Sequence, residues 1–175
     1  PGIRALIEVM NEFGEVCVVA PDSPQSGMGH AITLNSTLHI ENVSKKENIQ
    51  SEYSCSGTPA DCVKLAVNEI LDRKPDLCVS GINHGSNSAI NVLYSGTMSA
   101  AIEAGIEGIP SIGFSSIDHS WNADFESLKK YIRIITENVL KHSLPEGIVL
   151  NVNFPKAPIQ GIKVCRQAKA NWIEE

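Results

Sequence analysis

The apolar residues of the first stretch, residues 1–13, fall at Ile3, Leu6, Ile7, Met10 and Phe13. Steps of three and four place them on one face of a helix, and Gly14 follows as a stop. The run from Glu15 to Ala20 is short, β-branched and almost wholly apolar, which predicts a strand covered on both faces. From Ile32 to Ile40 the period changes to two: Ile32, Leu34, Leu38 and Ile40 alternate with Thr33, Asn35, Thr37 and His39. That pattern predicts an antiparallel strand with one solvated face. A more polar run, residues 49–55, is its expected hairpin partner across the charged loop Ser44-Lys45-Lys46-Glu47.

Thr58-Pro59-Ala60-Asp61 starts a helix that runs to about Leu71: Thr58 caps, Pro59 fits the first turn, and Asp61 favours the positive helix end. Residues 76–80 read as a buried strand, followed by a polar loop from Gly81 to Asn91 and a helix from about Ser95 to Ala104. A further strand is expected at Ile109 to Ser115. Phe125, Leu128, Ile132, Ile135 and Val139 then mark a long amphipathic helix, and Ile148 to Asn153 a last strand. Short apolar strands alternating with amphipathic helices predict an α/β fold: a Rossmann-like, three-layer domain with a mostly parallel sheet, plus an antiparallel hairpin extension. A crossover unit begins with a strand, yet this chain opens on a helix, so a preceding strand is expected before Pro1.

Composition narrows the class. The 175 residues are 42 % hydrophobic and 19 % charged, which suits a globular domain with an adequate core and excludes a disordered chain. A formal net charge of −6 does not suit a surface that binds duplex nucleic acid, and no apolar run is long enough to span a membrane. The five cysteines form no C-x-x-C pair; Cys17 and Cys78 sit in apolar runs and are expected to be buried as small hydrophobes, which favours a reducing cytoplasm.

In an open parallel sheet ligands sit beyond the carboxyl ends of the strands, so the loops there carry the candidate chemistry. The first, residues 21–30, offers Ser26 and His30 among prolines and glycines; its alternative reading is a solvated turn. The second, Ser80-Gly81-Ile82-Asn83-His84-Gly85-Ser86-Asn87, combines Gly81, where a backbone can approach a ligand, with Asn83, whose carbonyl oxygen suits a hard cation. Ser95-Gly96-Thr97 at a helix start offers free N–H groups, hydroxyls and the positive dipole end, an anion cradle. Ordinary capping is the other reading, and the two are compatible. Neither G-x-G-x-x-G nor G-x-x-x-x-G-K-[ST] occurs, Ser95 is not in a G-x-S-x-G elbow, and no His or Cys spacing fits zinc.

Ala20-Pro21-Asp22 with Gly29-His30, Ser56-Gly57-Thr58-Pro59-Ala60-Asp61-Cys62-Val63, Val79-Ser80-Gly81-Ile82-Asn83-His84-Gly85, Ser95-Gly96-Thr97 and Asn151-Val152-Asn153-Phe154-Pro155 together resemble the SurE family, in order and over almost the whole chain. The resemblance implies a divalent-metal-dependent phosphomonoesterase, with one Mg²⁺ or Mn²⁺, hydrolysing nucleoside 5′- and 3′-monophosphates or similar phosphomonoesters and assembling as a homodimer or homotetramer. By motif position it implies Ser26 and Asn83 as metal ligands and Asn83, Ser95, Gly96 and Thr97 as phosphate-binding residues, with Gly81 and His30 supporting the loops. The family's other metal ligands are two adjacent aspartates in an Asn-Asp-Asp-Gly motif. No such pair occurs in this chain, and no catalytic residue is assigned. Residues 1–175 are therefore expected to be a single SurE-like domain, truncated at both ends. Two other classes are carried beside the nucleotidase: a metal-free module that binds a phosphate or nucleotide without turnover, and an oligomerisation domain.

Overall fold

The computed structural model describes residues 2–44, 51–118, 120, 123–156 and 158–170. Part of the expected charged loop (Lys45, Lys46, Glu47), the start of the 49–55 run, His119, and the expected truncation point at Trp172–Glu175 lie outside the described residues.

Helix α1 (Gly2–Met10) buries Ala5, Leu6, Ile7, Val9 and Met10. It ends before Phe13, so Phe13 leaves the apolar stripe and Ala5 and Val9 complete it; Ile3 and Phe13 are 39 % and 38 % exposed. Strand β1 (Cys17–Pro21) follows and runs parallel to β3 (Ser51–Cys55), which pairs antiparallel with β2 (Ile40–Asn42). The hairpin partner is thus where the pattern put it, but the alternation over Ile32 to Ile40 is not a strand. Residues 31–39 run irregularly, and Leu34 is 79 % exposed. Side chains take the bonds a ladder would have used: Thr33 donates its N–H and hydroxyl to the Asp61 carboxylate, and the Thr58 hydroxyl donates to Ala31 O.

Helix α2 (Pro59–Leu65) starts as its sequence predicts. Thr58 Oγ1 accepts from Asp61 N–H at 3.1 Å while the Asp61 carboxylate accepts from Thr58 N–H at 2.9 Å, a reciprocal capping box. A π-helical turn, Ala66–Ile70, extends it. Strand β4 (Cys78–His84) continues through Gly81 and Asn83, so the expected loop begins four residues later than the polar composition suggested. After a 3₁₀ turn (Ala89–Leu93) come α3 (Gly96–Ile106), β5 (Ser111–Ser116), α4 (Glu126–His142) and β6 (Leu150–Phe154).

β4, β5 and β6 form a second, wholly parallel sheet with β5 in the middle. Every residue of β5 is buried, and its alternation sorts the layers. Ile112 and Phe114 join Leu6, Val9, Leu128 and Ile132 in the main core under α1 and α4, while Gly113 faces Met98 of α3 on the other side. Val63, Ala100, Ala104 and Ile109 make a smaller core between α2 and α3. The α/β class with helices on both faces holds. The one sheet expected is instead two among the described residues, joined by helices: α2 packs on β1 and on α3, and α3 packs on β4 and β5. This corrects the burial expected of β1, whose five residues are all half-buried because it forms an edge of its sheet. Cys17 and Cys78 are likewise only half-buried; Cys55 and Cys62 are the buried thiols, and all five cysteines are free.

Candidate functional site

Gly81 has φ of +126°, and a Cβ there would fall against Phe114 O of β5, so only glycine lets β4 stay paired at this point. The register shifts between Ser80 and Asn83, and Asn83 comes to lie opposite Ser115. Its amide nitrogen donates to Gly85 O at 3.0 Å, with Asn87 Oδ1 at 3.5 Å. The Asn83 carbonyl oxygen is thereby turned to the other side, with no hydrogen bond among the described residues.

The chain beyond Asn83 is held by a polar lattice at the strand ends. Gly85 N–H donates to Ser116 O, Asn87 N–H donates to Asn153 Oδ1, and buried Asn87 donates its side-chain N–H to Ser115 Oγ. Asn151 in turn donates to Asn87 O, and Asn153 to Asn151 Oδ1. Of these, Gly85, Asn151 and Asn153 belong to motifs legible in the sequence. Asn87 was legible as loop polarity alone.

Ser95 caps α3, its Oγ accepting from Met98 N–H at 3.0 Å. Among the described residues the N–H groups of Gly96 and Thr97 and the Thr97 hydroxyl make no hydrogen bond, at the positive end of an eleven-residue helix. The helix start is clamped where glycines allow contact. A Cβ on Gly113 would strike Met98 Sδ, and one on Gly96 would lie 3.1 Å from Pro59 Cγ and 3.4 Å from Gln25 O.

Gln25 O belongs to the loop that carries Ser26. Gly27 and Gly29 adopt φ of +75° and +59°, and Gly29 N–H donates to Tyr94 O at 3.2 Å, just before Ser95. A side chain at Gly29 would sit 2.7 Å from Leu93 O. The Ser26 loop is therefore docked on the segment leading into α3, and Ser26 itself is exposed.

His30 points elsewhere. Its Nε2 lies 2.6 Å from Glu103 Oε2, and Lys64 Nζ lies 2.7 Å from the other oxygen of the same carboxylate. Glu103 is 4 % exposed. Burial raises the pKa of such an acid, but hydrogen bonds and charge from Lys64 and His30 outweigh it and hold Glu103 below the ordinary carboxylate range. An ionised, buried Glu103 thus ties the Ser26 loop to α2 and α3. Sequence reasoning passed over it: Glu103 is a lone acid in the run Ser99-Ala100-Ala101-Ile102-Glu103-Ala104, and an acid turned inward there needs a partner that only the fold supplies.

Ser26 and Asn83 offer neutral oxygens of the type a hard dication takes, but a full shell draws on carboxylates. Among the described residues no group of three or more His, Cys, Asp or Glu could hold a metal ion. Two neutral oxygens alone do not amount to a coordination shell.

The fold is Rossmann-like, with polar groups gathered at the carboxyl ends of β4 and β5, and in open α/β sheets ligands sit beyond such strand ends. Residues 1–174 match the family described as Survival protein SurE, and the chain belongs to that family. A 5′-nucleotidase SurE of Christiangramia forsetii is 72 % identical, over 100 % of this chain and 69 % of that protein. One of Bacteroides thetaiotaomicron is 53 % identical over 99 % of this chain and 67 % of its own. The crystal structure of the SurE protein from Aquifex aeolicus superposes with a TM-score of 0.85 at 44 % identity, covering 97 % of this chain and 68 % of that one.

Proposed function

We propose that the protein is a phosphomonoesterase acting on nucleoside 5′- and 3′-monophosphates, releasing nucleoside and phosphate. The observation that carries this reading is the start of α3, which packs on Gly113 of β5 and where, among the described residues, the N–H groups of Gly96 and Thr97 and the Thr97 hydroxyl make no hydrogen bond. The names of the relatives support it.

In the reaction a water oxygen attacks phosphorus and the bond to the nucleoside oxygen breaks, while charge spreads over the equatorial oxygens. Gly96 N–H, Thr97 N–H and the Thr97 hydroxyl hold those oxygens, and the docked Ser26 loop and the glycine contacts keep the donors from shifting as charge develops. Asn83, whose amide nitrogen is held by Gly85 O, is assigned the phosphate in this reading through its side-chain amide. A divalent ion, Mg²⁺ or Mn²⁺, belongs to this reading and supplies Lewis-acid polarisation of the phosphoryl oxygen when bound. Ser26 and Asn83 contribute only neutral oxygens to it, so no step is derived through the ion. A homodimer or homotetramer and a cytoplasmic setting complete the proposal; no described helix is long and apolar enough to cross a membrane.

Phosphate release from AMP and GMP with Mn²⁺ or Mg²⁺ tests the reading. Thr97→Ala and Asn83→Ala are expected to lower kcat/KM by about a hundredfold. Turnover indifferent to both substitutions overturns the site. Tight phosphate binding without release in the unaltered protein supports the metal-free binding module, which uses the same helix start.

A further inference from the structure

A cavity of about 390 Å³ opens beyond the carboxyl ends of β5 and β6, under α4, with Ser116, Asp118, Tyr131 and Lys156 among its walls and Leu128 and Ile159 on its apolar side. The size falls within the ~300–1,000 Å³ of small-molecule pockets. It is outside the helix start of α3 and outside the Asn83 to Asn87 lattice, yet joined to the lattice: Ser116 is both a wall of the cavity and the residue whose carbonyl receives Gly85 N–H.

Its polar groups are fixed in advance. Asp118 Oδ1 accepts from Ser120 N–H at 3.0 Å and lies 3.5 Å from Lys156 Nζ, and the Ser120 side chain bonds the same carboxylate, which holds it ionised at the cavity wall. Ser116 is 4 % exposed; its Oγ accepts from Asp118 N–H, and its own proton has no acceptor there. Tyr131 is pinned by donating its hydroxyl to Ile159 O at 3.0 Å, and Lys130 Nζ lies 4.7 Å from the centre of its ring. An ionised carboxylate oxygen beside a hydroxyl, over an apolar floor, has the chemistry to take a vicinal diol attached to a flat ring: carboxylates receive ribose hydroxyls in the same manner at the strand ends of other α/β folds.

We propose that this cavity binds the nucleoside part of the substrate, with Asp118 accepting from the ribose hydroxyls and Ser116 donating to the sugar. The proposal rests on the nucleotidase reading and deepens it. Asp118 is a specificity-determining residue in this scheme and touches no reacting atom.

Adenosine, which has no phosphate, isolates the cavity from the α3 helix start. Its binding to the full chain is followed by chemical-shift mapping and titration, beside 2′,3′-dideoxyadenosine and inorganic phosphate. Adenosine is expected to shift resonances of Asp118, Tyr131 and Lys156. Its affinity should fall about tenfold or more in Asp118→Asn, fall again for the dideoxy analogue on the unaltered protein, and fall less in Ser116→Ala. Equal adenosine binding by Asp118→Asn and the unaltered protein overturns the proposal, as do shifts that map away from the cavity or no binding at all. Failure of the nucleotidase reading looks different: adenosine bound at the cavity with no release of phosphate from AMP.

Discussion

Gly81 joins backbone geometry to chemistry most directly. Its φ of +126° and the Phe114 carbonyl against its α-carbon leave no room for a side chain, and two residues later the strand delivers Asn83. Gly81→Ala combines a disfavoured backbone conformation with a clash against backbone, and should lower stability by about 2–4 kcal/mol in urea denaturation. A loss under about 1 kcal/mol would show that β4 can rearrange there. Gly81 and Asn83 could both be picked out from the sequence, because Gly, Asn and Ser crowd the exit of an apolar run. Glu103 was not, because its meaning depends on Lys64 and His30, which are distant in sequence and meet it only in the fold.

At the scale of elements, α2 is anchored by Asp61, which closes the capping box with Thr58 and also holds Thr33 in the irregular segment. Thr58→Ala removes the cap and the bond to Ala31 O, and is expected to lower stability by about 1–2 kcal/mol. Burial raises the pKa of Asp61, but hydrogen bonds from Thr33 and Thr58 outweigh it and leave the carboxyl below its ordinary range. Glu103 is lowered by the balance already described. Acids lowered on folding contribute stability that is present above the unfolded pKa of about 4 and lost as pH falls through the folded value. Urea midpoints should therefore hold from pH 6 to about 4 and drop below it, with the drop shallower in Asp61→Asn. The cap was legible because capping is local, within Thr58 to Asp61. The strand predicted over Ile32 to Ile40 failed for the opposite reason: alternation measures which faces could be buried, and Asp61, some thirty positions away, drew Thr33 out of any ladder.

For the whole molecule, the order of strands and helices could be read from hydrophobic period, whereas the division into two sheets could not, since pairing joins segments remote in sequence. Strand β5 has neighbours on both sides and is buried throughout; β1 and β4 each have one neighbour among the described residues. Native-state hydrogen exchange should find the β5 amides the most protected, and those of β1 and β4 that point away from β3 and β5 much faster. Uniform protection across β1, β4 and β5 would contradict this arrangement. Among the described residues the same two edges bear on how concentrated solutions of the chain are expected to behave. β1 reads Cys-Val-Val-Ala-Pro and carries no charge, and β4 holds none before His84, so neither has the lysines or acids that keep exposed strand edges from adding to one another. Colloidal stability then falls to the charges elsewhere on a surface of net −6, and screening salt, by weakening that repulsion, favours edge-to-edge clustering.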